Sequence, residues 1–339
     1  MAEFRLHGAN PEKLYEAFGI PAPKKIYDFS SNTNVVEWNG KLDLDFKQLL
    51  SAYPDDESLE LCSVITEQNN CGTENVLVTN GSNEAIYLLA SYLTNGDNCL
   101  LQPLYAEYGR ALTAYGAKTK NITSLNEIPN SCASVWICNP CNPTGKFIES
   151  ERLEQVIFSH PETLFIVDEA YRSLMLYERA PLNFRAYPNL VLLRSLTKLY
   201  HLCGVRVGYV LAERSVVDKL KLRQPTWSVN SFAQKAAAAY MRDNEFAAWT
   251  RAYYRQEVPR LMEGLQNAGY TVLPTCVNFF LLETADDEEL MTYLLQRGIV
   301  VRHTRNFPGL DGRYIRIAAG TAKNNDLLIK TMREKNQNQ

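Results

Sequence analysis

The chain has 339 residues, of which 46% are hydrophobic and 22% are charged, and its formal net charge is −3. These values are ordinary for a globular protein that can bury a large core and form two domains. The small negative charge argues against a surface for nucleic acid or anionic membranes. No apolar run is long enough to span a membrane, and residues 1–13 lack the apolar segment of a secretory signal, so we expect a cytoplasmic protein.

The first part of the chain predicts an arm followed by a repeating strand–helix pattern. Residues 1–40 contain a polar turn, a short helix over Pro11–Phe18 and an extended piece near Tyr27, and Tyr53-Pro54-Asp55 predicts the start of a helix. Short apolar strands then alternate with helices, and the strands are predicted at Val76–Val78, Cys99–Leu101, Val135–Cys138, Leu164–Val167, Leu190–Arg194 and Gly208–Leu211. This alternation indicates an α/β fold, with a mostly parallel central sheet flanked by helices.

The pattern changes near Trp227 and predicts a smaller α+β domain. Its predicted elements are helices over Ala233–Met241, Phe246–Gly264 and Asp287–Gln296 and strands over Val277–Leu282, Ile299–Val301 and Tyr314–Ile317. We therefore divide the chain into an N-terminal arm (1–40), a large domain (41–228) and a small C-terminal domain (229–339). The arm is expected to contribute to the active site and to the small domain.

The cysteines do not predict a metal or redox site. Cys138 and Cys141 form a C-x-x-C pair, but the chain has no second such pair and no histidine pair to complete a zinc site. Pro140 and Pro143 make the segment a turn, whereas a thioredoxin-like site begins a helix. We interpret the eight cysteines as buried free thiols and expect no metal.

Ligands of parallel sheets bind beyond the carboxyl ends of the strands, so the residues after each strand are the informative ones. Asn80-Gly81-Ser82-Asn83 precedes a helix, and free amides at a helix start favour a phosphate. The sequence matches neither common nucleotide-binding glycine pattern, which disfavours ATP and dinucleotides. Tyr105, after the next strand, is placed to cover a flat ring or simply to pack in the core.

The later strands are followed by further polar groups. Asn139-Pro140-Cys141-Asn142-Pro143-Thr144-Gly145 predicts a rigid loop that can aim Asn142 inward. Asp168, in Asp168-Glu169-Ala170-Tyr171, ends a buried strand, where a carboxylate needs a cationic partner. That partner is either a protonated pyridine nitrogen or an internal arginine.

Lys198 follows the strand that ends near Ser195, with Arg206 eight residues later. Burial favours a neutral lysine amine, and such an amine forms Schiff bases with aldehydes. Together the loops offer a phosphate site, an aromatic cover, an asparagine, a carboxylate and a lysine. Pyridoxal phosphate needs this set of groups.

In this order, the motifs N-G-S-N, P-x-Y, N-P-x-N-P-T-G, D-E-A-Y and S-x-T-K resemble the fold-type I, class I/II pyridoxal-phosphate aminotransferases, over nearly the whole chain. The resemblance implies that Lys198 forms the Schiff base, that Asp168 pairs with the ring nitrogen, and that Asn142 and Tyr171 contact the phenolic oxygen. It implies that Tyr105 stacks on the ring and that the phosphate is held by Gly81, Ser82, Asn83, Ser195 and Arg206. Tyr53 would reach the cofactor of a second subunit, which implies a homodimer with shared sites.

The substrate end resembles the threonine-phosphate decarboxylases of cobalamin biosynthesis. The resemblance lies in His7-Gly8-Ala9-Asn10, where that family usually has H-G-G-N, in the block around Asn32, in Tyr53-Pro54-Asp55 and in Arg302 within IVVRHTRNFPGL. It implies that His7, Asn32 and Arg302 hold a substrate phosphate. Arg316 in YIRIAAG matches the arginine that grips the α-carboxylate, which suits a planar guanidinium.

These resemblances lead to one main hypothesis and two alternatives. The main one is decarboxylation of L-threonine O-3-phosphate or L-serine O-3-phosphate, giving an amino-alcohol phosphate for cobalamin biosynthesis. One methyl group separates these substrates, and a pocket discriminates a methyl group by only ~1–3 kcal/mol. The alternatives are an aminotransferase for histidinol phosphate or a similar substrate, and a non-catalytic binding protein with the same fold.

Overall fold

The computed structural model describes residue 8 and residues 10–337. Its strands are β1 (Tyr27–Asp28), β2 (Val76–Thr79), β3 (Asp97–Leu101), β4 (Lys118–Ile122), β5 (Cys132–Cys138), β6 (Leu164–Asp168), β7 (Leu190–Ser195), β8 (Gly208–Leu211), β9 (Phe279–Glu283), β10 (Ile299–Val300), β11 (Arg302–His303) and β12 (Tyr314–Ala318). Its α-helices are α1 (Pro11–Phe18), α2 (Phe46–Ser51), α3 (Leu59–Asn69), α4 (Gly81–Tyr92), α5 (Glu107–Ala114), α6 (Ser150–Ser159), α7 (Leu196–Leu199), α8 (Arg214–Lys221), α9 (Ser231–Arg242), α10 (Asn244–Gln266), α11 (Asp287–Leu295) and α12 (Ala322–Gln337).

The central sheet has seven strands in the order β2-β8-β7-β6-β5-β3-β4. The neighbours from β4 to β7 pair in parallel, whereas β8 is antiparallel to both β7 and β2. The chain returns from β7 to β8 without a crossover helix that spans the sheet, so adjacent strands run in opposite directions. The predicted α/β fold with a mostly parallel sheet is confirmed.

Two layers of helices cover this sheet, because alternate side chains of each strand point to opposite faces. Along β6, Phe165 and Val167 join the larger hydrophobic core, while Ile166 between them joins the second core. Buried residues of α4, α5 and α8 complete the second core. Residues of α3, α6 and α9 pack into the larger one. The inner strands are therefore buried on both sides, and polar groups concentrate at their ends.

A second sheet has the order β11-β12-β9, with antiparallel pairs throughout. It places Arg302 directly opposite Arg316. Beside it, β1 pairs in parallel with β10, so that Asp28 lies opposite Val300. This pairing ties the N-terminal segment to the strand that leads into Arg302.

The structure differs from the sequence expectations at a few elements. The helix expected at Tyr53 begins only at Leu59, because the Asp55 carboxylate accepts hydrogen bonds from the Glu57 and Leu59 amides and forms a turn first. Strand β4 was not predicted, since its sequence KTKNI is polar and exposed at the sheet edge. In the described part of the chain, no helix combines the length and the apolar character that crossing a membrane requires.

Candidate active site

A cavity of about 470 Å³ opens at the carboxyl ends of the parallel strands. It is lined by most of the side chains that the sequence singled out: Asn32, Ser82, Asn83, Tyr105, Asn142, Asp168, Tyr171, Ser195, Lys198, Arg206, Arg302 and Arg316. They come from distant parts of the chain, and Asn32 and Arg316 are 284 positions apart. The fold thus brings the predicted cofactor residues and the predicted substrate residues into one cavity.

Lys198 lies on the short helix α7 and joins a polar chain across the cavity. Its Nζ donates to Asn32 Oδ1 at 3.0 Å, and Asn32 Nδ2 donates to the Tyr171 hydroxyl at 2.6 Å. Burial, reinforced by the positive charge of Arg316, lowers the pKa of Lys198 to about 8. About a tenth of the amine is therefore neutral and nucleophilic at pH 7, far more than for an ordinary lysine.

Asp168 is the last residue of β6 and is buried. Its Oδ2 accepts from the Tyr108 hydroxyl at 2.7 Å, and its Oδ1 accepts from the Ala170 amide at 2.8 Å. Burial raises the pKa of Asp168, and both hydrogen bonds act in the opposite direction.

An internal arginine, one of the two partners considered for Asp168, pairs instead with its neighbour Glu169. Arg194 Nη2 lies 2.6 Å from Glu169 Oε2, with Arg172 on the other carboxylate oxygen at 3.6 Å. Within the described residues, Asp168 forms no ion pair with an arginine. Its carboxylate is thus left facing the cavity, where a ligand cation can meet it.

The glycine loop at the start of α4 forms a cradle with Arg206. Gly81 has φ +73, and a Cβ there would lie 2.3 Å from Arg206 Nη2, so the guanidinium occupies the space that a side chain would fill. Arg206 is positioned by Thr197 Oγ1 at 3.3 Å and the Cys203 carbonyl at 3.1 Å. Asn83 Oδ1 is buried without a hydrogen-bond partner among the described residues. Helix amides, hydroxyls and a guanidinium are the donors that a phosphate prefers.

Asn142 and Arg316 meet across the cavity. Arg316 Nη1 donates to Asn142 Oδ1, and Nη2 donates to the Ser30 carbonyl at 2.6 Å. Arg316 Nε is buried without a partner in the described range. Burial lowers the pKa of Arg316, although arginine stays cationic in proteins. The arrangement leaves a desolvated positive charge beside Lys198.

Arg302 lies opposite Arg316 and is also buried. Its guanidinium contacts the side chains of His303 and Asn306, the latter at 2.8 Å. Burial and the nearby Arg316 lower its pKa. Phe307 forms part of the same wall, with its ring centroid 5.9 Å from the guanidinium carbon of Arg302.

Some predicted residues stand apart from this cavity. His7 lies outside the described residues, although the backbone of Gly8 packs against the Arg302 side chain. Tyr53 does not line the cavity; it is 78% exposed and stacks on Trp227 with ring centroids 4.4 Å apart. Its predicted role in a second subunit's site stays a prediction.

The sequence reasoning did not assign roles to Tyr108 and Ser30. Tyr108 follows Tyr105 by three residues, and this spacing could have placed both on one helix face. The role of the Ser30 carbonyl could not be predicted, because every residue has a backbone acceptor and only the fold brings Arg316 to this one.

The match to a family model extends over residues 27–332, so the chain belongs to the aminotransferase class I and II family. The threonine-phosphate decarboxylase of Salmonella typhimurium is 29% identical, with 96% of this chain and 95% of that protein covered. The histidinol-phosphate aminotransferase of Methanocaldococcus jannaschii is 28% identical, with 96% and 93% covered. The solved L-threonine-O-3-phosphate decarboxylase from Porphyromonas gingivalis superposes with a TM-score of 0.81 at 25% identity, covering 93% of this chain and 100% of that one.

The family depends on pyridoxal phosphate, as the sequence predicted. The residues of this chain fit that cofactor. The Gly81 cradle offers phosphate donors, the Asp168 carboxylate pairs with no arginine among the residues that the structure describes, and Lys198 presents a nucleophilic amine. The predicted roles of the individual residues remain proposals.

Proposed function

We propose that the protein is a pyridoxal-phosphate-dependent decarboxylase of an O-phosphorylated amino acid, L-threonine O-3-phosphate or L-serine O-3-phosphate. The reaction breaks the bond between Cα and the carboxylate, releases carbon dioxide and adds one proton at Cα. The product is an amino-alcohol phosphate, which the resemblance connects to cobalamin biosynthesis.

The observation that carries this proposal is the pair of buried arginines on β11 and β12. Arg302 and Arg316 are directly opposite each other and line the cavity that contains Lys198. Two guanidinium groups so close together repel each other; burial lowers both pKa values, and the charge of Arg316 lowers that of Arg302 further. A ligand that carries both a phosphate and a carboxylate relieves this repulsion and can bind each guanidinium bidentately.

When bound, pyridoxal phosphate supplies an electron sink for the electron pair left on Cα. Asp168 is placed to hold the proton on the ring nitrogen, because its carboxylate is buried in the cavity wall. The Lys198 amine would attach the cofactor and, as a free amine, could deliver the proton to Cα. Asn142 and Tyr171 are proposed to contact the phenolic oxygen, and Tyr105 to cover the ring.

We propose that Arg316 and Arg302 determine which bond at the substrate Cα breaks. Arg316 holds the α-carboxylate, and Arg302 holds the phosphate together with Asn32 and His7. A substrate fixed at both ends cannot rotate freely about Cα, so its carboxylate can be kept perpendicular to the cofactor ring, where the breaking bond overlaps the ring π system.

The second candidate is an aminotransferase for histidinol phosphate, which the similarity to the Methanocaldococcus jannaschii enzyme supports. Histidinol phosphate carries a phosphate but no carboxylate, so it would occupy only one of the two arginines. The other would serve the carboxylates of glutamate in the second half-reaction. Lys198 has a lowered pKa and shares its cavity with Arg302 and Arg316. A binding protein without catalytic activity would not need a nucleophilic lysine there, which argues against that alternative.

One assay separates these candidates. The purified holoenzyme is incubated with threonine phosphate or serine phosphate without any oxo acid, and released carbon dioxide and amino-alcohol phosphate are measured. We expect turnover with at least one of the two substrates. Turnover only with histidinol phosphate and 2-oxoglutarate, with glutamate accumulating, would replace the decarboxylase by the aminotransferase.

We also propose a homodimer with shared sites, in which Tyr53 reaches the partner subunit's cofactor phosphate. A cluster of exposed apolar side chains supports it: Phe46 is 62%, Leu50 is 87% and Tyr53 is 78% exposed. Monomers rarely expose so many large apolar groups in one region. Within each subunit we keep the proposed division into an arm (1–40), a large domain (41–228) and a small domain (229–339).

Mixing two inactive variants tests the shared site. Tyr53→Ala and Lys198→Ala subunits, denatured together and refolded, should form heterodimers that each contain one intact site. Activity should therefore return on mixing, and sedimentation should show dimers. Homogeneous monomers, or dimers without restored activity, would contradict the arrangement.

A further inference from the structure

Tyr108 stands behind the proposed cofactor site and has no role in the function described so far. Its hydroxyl donates to Asp168 Oδ2 at 2.7 Å, and the Ala170 amide donates to Asp168 Oδ1 at 2.8 Å. Each carboxylate oxygen thus has its own donor. The side chain of Asp168 is fixed in one rotamer before any ligand arrives.

Tyr108 is itself held rigidly. It is 1% exposed, its ring centroid lies 5.6 Å from that of Trp136, and it packs edge-on to Tyr105 at 5.7 Å. Burial raises the pKa of the Tyr108 phenol well above its usual value, so the group stays neutral and acts as the donor. Because Tyr105 is the proposed ring cover, one aromatic wall connects the ring face to the carboxylate.

We infer that Tyr108 is a positioning residue, whose hydroxyl holds Asp168 in the orientation and the ionised state that a protonated ring nitrogen requires. The inference rests on the proposed role of Asp168. Its test uses properties of the bound cofactor, so it is independent of which substrate is turned over.

The physical reason is the competition between burial and hydrogen bonding. Burial alone favours the neutral acid, and a hydrogen bond to the charged form opposes it. A hydrogen bond to a charged group changes an equilibrium by roughly tenfold to a hundredfold. Without the phenol, Asp168 would bind a proton more readily, and the ring nitrogen would hold its proton less firmly.

The other ionisable groups around Asp168 come from several elements. They are Cys138 on β5, Glu169 after β6, Tyr171, Lys198 on α7 and Tyr105 before α5. Among the partners of Asp168, Tyr108 is the side chain that donates a hydrogen bond to its carboxylate in the described structure. Removing the Tyr108 hydroxyl takes away a hydrogen bond to the Asp168 carboxylate without removing a charged side chain from the site.

The test is Tyr108→Phe in the holoenzyme, which removes one oxygen atom and keeps the ring. We expect the cofactor dissociation constant to rise about tenfold. A ring nitrogen that loses its proton withdraws fewer electrons, so the pH midpoint of the cofactor's visible absorption should move upward by about one unit. Tyr15→Phe is the matched control, because its hydroxyl is also buried and donates to the Leu295 carbonyl; it should leave both values unchanged.

A double variant shows whether Tyr108 acts through Asp168. In an Asp168→Asn background, Tyr108→Phe should cause little further loss of cofactor affinity. An equal loss in both backgrounds, or a single variant with unchanged affinity and midpoint, would overturn the inference.

If Tyr108→Phe does not fold, 3-fluorotyrosine at position 108 keeps the ring and strengthens the donor. The midpoint should then move downward, and an unmoved midpoint would equally refute the role.

Discussion

The cofactor end and the substrate end of the cavity are built in different ways. At the cofactor end, Asp168 and Ser195 are the last residues of β6 and β7, and Asn142 follows β5 by four residues. One rigid sheet therefore places all of them. At the substrate end, Arg302 and Arg316 lie on another sheet, and the N-terminal segment reaches the cavity from the pairing of β1 with β10.

The two ends also differ in charge. The cofactor end combines Asp168 with Lys198, so its charges partly compensate each other. The substrate end concentrates two buried guanidinium groups: Arg316 donates to the Ser30 carbonyl and to Asn142, and Arg302 donates to Asn306. The difference teaches that cofactor binding and substrate binding should be separable by mutation.

The largest effect is expected at the cofactor end. Lys198→Ala removes the amine that attaches the cofactor and delivers the proton, so activity should fall by roughly a thousandfold or more. The visible absorption of the bound cofactor should disappear with it. Lys219→Ala is the control, because this lysine is exposed and its ammonium contacts the hydroxyl and ring of Tyr92, away from the cavity. A colourless wild-type protein would refute the whole site assignment.

A smaller but selective effect is expected at the substrate end. Arg302→Ala should raise the KM for the phosphorylated substrate by about a hundredfold, since it removes charged hydrogen bonds to the phosphate. The cofactor dissociation constant should change little, as judged by fluorescence titration. Arg313→Ala provides the control, because Arg313 is an exposed arginine in the segment between β11 and β12. Equal losses of substrate and cofactor binding would show that the two ends are not separable.

The smallest effect concerns pH. The pKa of Lys198 is lowered to about 8, so the amine is protonated and unreactive below that value and neutral above it. The rate at which the apoenzyme binds pyridoxal phosphate should thus rise about tenfold per pH unit below the midpoint and level off above it. Stopped-flow absorption between about pH 6 and about pH 9.5 measures this rate. A midpoint near the ordinary lysine value would mean that burial and Arg316 do not act on the amine.

Particular residues show how far sequence reasoning reaches. Lys198, Asp168 and Asn142 were predictable, because each follows an apolar strand and the ends of parallel strands meet at one edge. The hydrogen bonds that connect Asn32 with Lys198 and Tyr171 were not predictable, since the three residues are far apart in the chain and no periodicity relates them. Tyr108 was overlooked for a similar reason: a buried tyrosine normally packs as a core residue, and only its distance to Asp168 gives it a role.

The sequence by itself determined the class of protein and its cofactor chemistry, because these depend on short motifs next to individual strands. Only the tertiary structure decided which groups neutralise or support one another. It assigned Arg194 to Glu169 instead of Asp168, Tyr108 to Asp168, and Arg302 to a place opposite Arg316. The physical reason is that burial and charge pairing depend on contacts between distant segments, and these contacts set the pKa of Lys198 and the charge of the substrate end.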